Sequence, residues 1–516
     1  MILSMPHIVF SAWLTLFGYQ FAVAALSRRK RSHHQNHAAN KEDSFSSLPD
    51  DILISIIARL PTNEAARTSI LSNRWRDLYK FVTDIILRCS DLIGPSLSHP
   101  HDLDMIINGV DRFFRLRSGF KIRSIYLRCC LMKLQMDGYE QLLYSLGILS
   151  INNLVLLCSC QMNIRDASFS CHLLSQMPSL KHFLLGCCSL HQNCSLTYYD
   201  LGLCSLNKSP PWKLTQSNNV LEVLSLWYVS VGVGALECIL YNCLSLHSLY
   251  IYSCDFSSKL SLRGSNLRLK RILIEFCKGF DEIEFWASNL MTFEFRSNEV
   301  VNFVFNHVPQ LQNVYLGFPK KDTMFCVCTK INKDLPQLKS LIFETEGDIY
   351  PVSWKTMGFN TFGNLRQLSL RLYATYEVDL LLLAPFLQRC PLLEEFHLDT
   401  EYVECGGRKA MAPEVIIHRK LKKVDITGHD GTKNEIDFAL YILKSAICLE
   451  QMQISRRSKR YGGGGRWVGD DGKPSWSKRA HKMIQEKLRN QALSTTARVI
   501  VQHSPVYENN WDIFDD

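Results

Sequence analysis

The chain has 516 residues and a formal net charge of +9, with 47% hydrophobic and 21% charged residues. This length is long for one compact domain, and the balance of apolar and charged residues excludes a largely disordered protein. The basic residues form separate clusters near the two ends, at 28–31, 456–460 and 478–479, instead of one stripe interleaved with aromatic residues. The charge therefore does not indicate a dedicated nucleic-acid surface.

The N-terminal residues 1–27 contain no Asp, Glu, Lys or Arg, and the basic run Arg28–Arg31 follows at once. An apolar stretch of this length can span a bilayer, which needs roughly 20 residues. Two interpretations stay open. The stretch is a membrane anchor whose positive flank keeps the following residues in the cytosol, or it is an artefact of a gene model that joins an unrelated exon. Residues 28–43 are basic and then polar, and we predict a linker there.

Three short amphipathic helices are predicted between residues 44 and 88. Apolar residues at helical spacing indicate the first helix, which starts near Pro49 and is stopped by Pro61. Thr62 and Ser72 are candidate N-caps of the second and third helices. A segment this small cannot cover so many large apolar side chains by itself, so part of its surface should meet another chain.

Residues 48–79 read LPDDILISIIARLPTNEAARTSILSNRWRDLY. This motif resembles the F-box of plant F-box proteins, and the resemblance implies docking on a Skp-type adaptor that is linked to a cullin ubiquitin ligase. Carried over position by position, it implies an adaptor-binding face made of Leu48, Pro49, Ile52, Leu53, Ile56, Leu60, Pro61, Leu71 and Trp75. For Ile56 and Trp75, packing of the helices against one another is an equally open interpretation.

Beyond a predicted helical connecting region at residues 89–120, one pattern repeats through residues 121–455. An apolar residue is followed by two variable residues, a second apolar residue, one variable residue and a third apolar residue. The thirteen copies begin at Ile122, Ile151, Leu180, Leu221, Leu246, Leu269, Leu290, Leu311, Leu338, Leu365, Leu393, Leu421 and Leu449. Most of the intervals between them fall within the roughly 20 to 29 residues of leucine-rich repeats.

The last two apolar positions of each copy are two residues apart, so they face the same side of a short strand. Each unit can bury that side only by stacking on its neighbours, as in a solenoid. The predicted fold class is therefore α/β: a small all-α F-box module followed by an irregular leucine-rich-repeat solenoid, an α/β horseshoe. These repeats also resemble those of plant F-box proteins.

Polar and aromatic residues alternate with the apolar strand positions and are predicted to face the concave side of the solenoid. Repeat proteins usually bind their partners on that side. A mixed aromatic and polar surface suits a protein partner. The candidate residues for contact with a target protein are Tyr126, Tyr250, Arg271 and Tyr315.

The segments LKKVDITGHDGTKNEIDFALYILKSAICLEQMQIS, at 421–455, and RAHKMIQEKLRN, at 479–490, stand near the end of the chain. They resemble the FBD region that ends many plant F-box and leucine-rich-repeat proteins, and we assign an FBD-like terminal region to residues 411–500, overlapping the last repeats. The alternative role is a cap over the apolar edge of the last repeat. Residues 456–476 contain four glycines without the Lys-Ser/Thr of a phosphate-binding loop, and we predict a flexible surface insertion there.

The sequence gives no positive sign of catalysis. The nineteen cysteines mostly follow apolar runs, which indicates buried thiols in a reducing compartment. Their spacing lacks the paired motifs of structural zinc sites. The sequence also lacks the motifs of zinc proteases, nucleophile-elbow hydrolases, dinucleotide enzymes and kinases. We therefore expect no catalytic residue, no metal and no cofactor.

The resemblance predicts the non-catalytic substrate-recognition subunit of a Skp-cullin-F-box E3 ubiquitin ligase. Such a subunit binds the adaptor through its F-box and a target protein through its repeats, in the cytoplasm or nucleus. The alternative is a leucine-rich-repeat scaffold, or a membrane-tethered adaptor protein, that joins no ligase. In the tethered case residues 1–27 would hold the F-box at the cytosolic face of a membrane.

Overall fold

The structure is a computed structural model, and it describes residues 48–60, 62–88, 108–110, 112–113, 121–128, 150–158, 168–170, 174, 177–191, 220–256, 259–263, 268–299, 301–318, 323–346, 361–374, 379–403, 415–465, 467–469 and 474–505. The chain divides into two compact units, Met1–Ser257 and Ser258–Asp516. The predicted leader at 1–27, the linker at 28–43 and Pro61 lie outside the described residues, as does most of the connecting region at 89–120. No helix in the described ranges is long and apolar enough to cross a membrane.

Three short helices form the N-terminal module, as predicted: α1 (Asp50–Ile57), α2 (Thr62–Thr68) and α3 (Asn73–Tyr79). Ser72 caps α3, because its Oγ accepts the Trp75 N–H at 3.3 Å. α1 ends at Ile57, before the predicted stop at Pro61, and α2 includes Thr62, which was predicted as its cap. The module's interior is apolar and is formed by Leu53, Ile57, Ala65, Trp75 and Leu78.

The first unit continues as a sheet of parallel strands, hydrogen-bonded in the order β1, β2, β3, β5, β7, β9. Short parallel strands, β4, β6, β8 and β10, form a second ladder, and α4 (Ala235–Asn242) precedes β9. The bounds are β1 (Asp84–Arg88), β2 (Ser124–Arg128), β3 (Asn153–Leu157), β4 (Ser168–Ser170), β5 (His182–Gly186), β6 (Ser189–His191), β7 (Val223–Trp227), β8 (Ser230–Val231), β9 (Ser248–Tyr252) and β10 (Asp255–Phe256).

The second unit has the same organisation, with parallel strands in the order β12, β14, β16, β17, β18, β19, β20, β21, β24. A second parallel ladder joins β11, β13 and β15, and β22 pairs antiparallel with β23. The strands are β11 (Leu260–Arg263), β12 (Arg271–Glu275), β13 (Glu282–Trp286), β14 (Thr292–Arg296), β15 (Asn302–His307), β16 (Asn313–Phe318), β17 (Ser340–Glu346), β18 (Gln367–Ala374), β19 (Glu395–Val403), β20 (Lys423–Thr427), β21 (Gln451–Ser455), β22 (Lys459–Tyr461), β23 (Trp467–Gly469) and β24 (Arg498–Gln502).

Helices in the second unit lie between these strands along the chain. A 3-10 turn at Leu380–Leu383 leads into α6, and the capping box of Thr432 and Glu435 starts α7. Ser477 caps α8 by accepting the Ala480 N–H at 3.2 Å. The helices are α5 (Thr323–Asp334), α6 (Ala384–Gln388), α7 (Lys433–Ser445) and α8 (Lys478–Leu488).

All thirteen predicted repeat copies coincide with strands of the two main ladders, which confirms the solenoid prediction. The register also follows the pattern: Ile125 pairs with Leu154, and Phe293 pairs with Val314. Because the second and third apolar positions of each copy share one side of the strand, they stack into an apolar core within each unit. Among the cysteines whose side chains the structure describes, nine are buried in these units, as predicted, and Cys448 is exposed.

Candidate partner-binding surfaces

The helices of the N-terminal module leave a group of apolar side chains in contact with solvent. Ile70 is 83% exposed and Leu71 is 68% exposed, both in the turn between α2 and α3, and Ile52 on α1 is 44% exposed. The turn is fixed by backbone hydrogen bonds from Ile70 N–H to Arg67 O at 3.1 Å and from Leu71 N–H to Thr68 O at 3.0 Å. These three residues are called the apolar face below.

The other predicted adaptor contacts divide between surface and interior. Pro49 is exposed, and partial exposure is shared by Leu48, Ile56 and Leu60. Leu53 has no accessible surface and Trp75 is buried, so in this structure both side chains pack among the helices, and adaptor contact through them stays a prediction. Sequence reasoning missed Ile70, because the motif leaves this position variable; its apolar neighbour Leu71 was the available signal.

Arg74 fixes the start of α1 against α3. Its guanidinium donates to the Leu48 carbonyl at 2.6 Å and to the Asp50 carboxylate at 2.6 Å. Both charged side chains are in contact with solvent, so the ion pair contributes little stability on its own. Its effect is positional, since it holds the partly exposed Leu48 in one place relative to the rest of the module.

The second candidate surface is the side of each main sheet that carries the residues alternating with the buried leucines, called the inner face below. In the first unit, Tyr126 and Tyr250 lie on this face and are partly exposed. Burial raises the pKa of Tyr126, so its phenol is a neutral hydrogen-bonding group at physiological pH. Both residues stay predictions for target contact.

The inner face of the second unit is partly covered by another segment of the chain. Arg271 is partly exposed, but Tyr315 is only 3% exposed because the ring of Tyr461 lies 4.9 Å from it, centroid to centroid. The Tyr315 hydroxyl donates to Glu344 Oε2 at 2.7 Å. Tyr315 was predicted to face a target, and in this structure the chain's own residues cover it.

The covering segment is residues 456–469, called the strap below, of which the structure describes 456–465 and 467–469. It leaves the repeats after β21 and lies on the inner face of the second unit. The Tyr461 hydroxyl donates to Glu294 at 3.1 Å, and Gly464 N–H donates to the same carboxylate at 3.0 Å. We predicted a flexible surface insertion at residues 456–476, which contain the strap. Tyr461 within it is buried, and the flexibility of the insertion stays a prediction.

Three further contacts join the strap to β19 and β20. Ser458 donates a hydrogen bond to Asp399, and Lys459 forms an ion pair with Asp425. The ring of Trp467 stacks on His397, with 5.1 Å between centroids. The cavity left between strap and sheet measures about 10 Å³. That is room for about one water molecule.

Burial sets the charge of the ionisable groups under the strap. It raises the pKa of Glu294 to about 7, against the hydrogen bonds from Gly464 N–H and Tyr461 OH, which lower it. Burial and the nearby positive charge of Lys459 hold the pKa of His397 well below its ordinary range. His397 is therefore neutral at physiological pH, and its 3.5 Å approach to Asp425 is not an ion pair.

A second buried acid, Glu275 on β12, should make the stability of the second unit depend on pH. Burial raises its pKa to about 8; Arg296 lowers it, and Glu294 and Glu344 raise it further. The pKa of Glu275 is higher in the folded chain than in the unfolded chain. The contribution of Glu275 to the unfolding free energy is therefore fully present below about pH 4.5 and is lost as the pH rises through 8. Between pH 5 and 8, the unfolding free energy of the wild type should fall more steeply than that of Glu275→Gln, by roughly 1 kcal/mol per pH unit.

Urea denaturation at several pH values measures this effect. Glu486→Gln is the matched control, because Glu486 lies on the exposed side of α8 and its replacement should leave the pH dependence as in the wild type. Equal pH dependence in the wild type and Glu275→Gln would contradict the assignment of a buried, protonated Glu275.

Comparison with known families agrees with both parts of the architecture. A family model described as "At1g61320/AtMIF1, LRR domain" matches residues 115–507, more than half of the chain. A model of the F-box domain matches residues 45–78, which include the whole apolar face.

Individual relatives carry the same descriptions. The chain is 31% identical over 145 residues to the putative F-box protein At3g58820 of Arabidopsis thaliana, covering 27% of this chain and 35% of that protein. It is 40% identical over 90 residues to the putative F-box/LRR-repeat protein At3g58880, covering 17% of this chain and 20% of that protein. It is 29% identical over 106 residues to the putative F-box/FBD/LRR-repeat protein At1g66290, covering 20% of this chain and 21% of that protein. Both are also from Arabidopsis thaliana, and the matched parts span between about a fifth and a third of these relatives.

The family models and the observed order of a helical module followed by parallel-strand repeats lead to the same assignment. The chain belongs to the At1g61320/AtMIF1 leucine-rich-repeat family and carries an F-box domain before its repeats.

Proposed function

We propose that this chain is the substrate-recognition subunit of a Skp-cullin-F-box E3 ubiquitin ligase. The observation that carries the proposal is the apolar face of the F-box module, where Ile52, Ile70 and Leu71 are exposed within the matched F-box residues. A solvent-exposed group of large apolar side chains on a small module favours burial against another chain. In an F-box module that chain is a Skp-type adaptor.

The apolar face is suited to tight binding in two respects. Burying each of its large aliphatic side chains completely contributes about 1.5–3 kcal/mol. The turn that carries Ile70 and Leu71 is already held by backbone hydrogen bonds, so little conformational freedom is lost when a partner binds. A few such residues at the centre of an interface usually supply most of its binding free energy.

In the proposed mechanism the chain performs no covalent chemistry. The F-box fixes the chain to the adaptor, and the adaptor connects it to the cullin and the enzyme that carries ubiquitin. The inner faces of the repeats hold a target protein. Holding target and enzyme in one assembly raises the effective concentration of the target's lysines near the ubiquitin thioester, and transfer accelerates for that reason.

Measuring the affinity of the full-length chain for a purified Skp-type adaptor tests the first step. Ile52→Ala and Leu71→Ala should each weaken binding by about tenfold or more, as expected for truncation of a central apolar contact. The matched control is Ile416→Ala, the same substitution at a residue that is 43% exposed, against 44% for Ile52, in the second unit.

The control should bind the adaptor as tightly as the wild type. Equal affinity of the wild type, Ile52→Ala and Leu71→Ala would contradict adaptor binding through this face. The double variant Leu48→Ala plus Pro49→Ala extends the test to the start of α1, where co-purification with the adaptor should also be lost.

A further inference from the structure

The strap meets the inner face of the second unit in the way a bound peptide would. Three carboxylates of that face, Glu294, Asp399 and Asp425, each accept a donor from the strap. Two aromatic rings of the strap lie against rings of the sheet, Tyr461 on Tyr315 and Trp467 on His397. These five sheet residues are called the floor below.

The floor residues come from four strands in register. Glu294 pairs with Tyr315, and further along the sheet His397 pairs with Asp425. The register through the strands between them aligns Tyr315 with His397, so these four side chains share one side of the ladder. Asp399, two residues after His397, lies on the same side. The repeats alone therefore create a surface with acidic and aromatic groups at fixed spacing, independently of the strap.

The contacts of the strap are mostly polar and come at a large entropic cost. Lys459 is buried beside Asp425, and desolvation offsets much of the attraction between such a pair. Gly463, Gly464 and Gly465 all have positive φ, between 58° and 79°. Glycine loses more conformational freedom on ordering than any other residue type, so holding this run in place has a high entropic cost. A segment held in this way can be displaced by a partner that offers the same groups on a stiffer backbone.

We propose that the floor is the target-binding site of the second unit and that the strap, a segment of the same chain, occupies this site when no target is bound. The target presents an extended segment with a lysine and, two residues later, a tyrosine, as the strap does with Lys459 and Tyr461. The lysine pairs with Asp425, and the tyrosine lies on Tyr315 and donates to Glu294. This inference rests on the proposed target-binding role of the repeats and gives the target its chemical class, a basic and aromatic peptide.

A labelled synthetic peptide with the sequence of residues 456–469, RRSKRYGGGGRWVG, tests the proposal on the full-length chain. Lys459→Ala plus Tyr461→Ala in the chain should vacate the floor, and this variant should bind the peptide at least tenfold more tightly than the wild type. A peptide with the same two alanines should not bind, and adding Asp425→Asn to the chain should abolish binding. Lys487→Ala, an exposed lysine of α8, is the control and should bind as weakly as the wild type.

Equal peptide affinity for the wild type and the strap variant, with both showing the same circular dichroism, would overturn the proposal. Should the variant fail to fold, hydrogen exchange on the wild type tests whether the peptide displaces the strap. A saturating concentration of the peptide should remove protection of the Gly464 and Gly465 amides, and unchanged protection would overturn the displacement.

Adaptor affinity measured on the same preparations separates this proposal from the ligase assignment. Adaptor binding without peptide binding would overturn the floor as a target site and leave the F-box role supported. Peptide binding without adaptor binding would support the floor and contradict the ligase assignment.

Discussion

Replacing Phe293 by alanine should lower the free energy of unfolding of the second unit by about 3–5 kcal/mol. Phe293 has no accessible surface. Its ring lies 4.8 Å from that of Phe285 and 5.4 Å from that of Phe303, both in edge-to-face geometry. The main ladder and the second ladder of the repeat meet at this contact, so neither side can close the cavity that truncation leaves.

Urea denaturation followed by circular dichroism measures the loss. Phe81→Ala provides the matched control, since Phe81 is 59% exposed and its truncation should cost less than about 1 kcal/mol. A loss below about 1 kcal/mol for Phe293→Ala would show that the second ladder does not pack on the main one as described.

Replacing Glu435 by alanine should destabilise the C-terminal part of the second unit by about 3 kcal/mol or more. The buried Glu435 carboxylate accepts the backbone N–H groups of Thr432 at 2.8 Å, Gly431 at 3.0 Å and Asp430 at 3.0 Å. It also accepts the Thr432 hydroxyl at 2.8 Å. Removing it leaves several partly buried donors without a partner in the protein. An unsatisfied buried group costs about 1–3 kcal/mol.

Glu435→Gln keeps one of the two oxygen acceptors. It should therefore lose less than half of the stability that Glu435→Ala loses. Thermal unfolding monitored by circular dichroism compares the two variants. A wild-type melting temperature for Glu435→Ala would contradict the role of this carboxylate in fixing the loop before α7.

The repeats were predictable because each copy has the same local pattern, and the strand pairing preserves that pattern from one copy to the next. Two strands of the main ladders were missed for local reasons. The pattern of β1, which begins at Val82, lies inside the segment assigned to the F-box. The corresponding first position of β24 is Thr496, a polar residue, so the pattern is broken there.

The partner surfaces were less predictable because they depend on which residues meet after folding. Helical spacing places Leu53 and Ile52 next to each other in the pattern, and only the packing of three helices makes Leu53 interior and Ile52 exposed. The contact between Glu294 and Tyr461 joins residues 167 positions apart. A glycine-rich segment gives no local signal of where it will bind, and the burial of Tyr315 followed from that contact.

Reconstitution of the full-length chain with a Skp-type adaptor and a cullin tests the central claim most directly. Size-exclusion chromatography with light scattering should show one complex that contains all three proteins. Ile52→Ala plus Leu71→Ala should release the chain from that complex, while Ile416→Ala should remain in it. A chain that fails to bind the adaptor, or that binds the adaptor but excludes the cullin, would contradict the account and favour a repeat scaffold that joins no ligase.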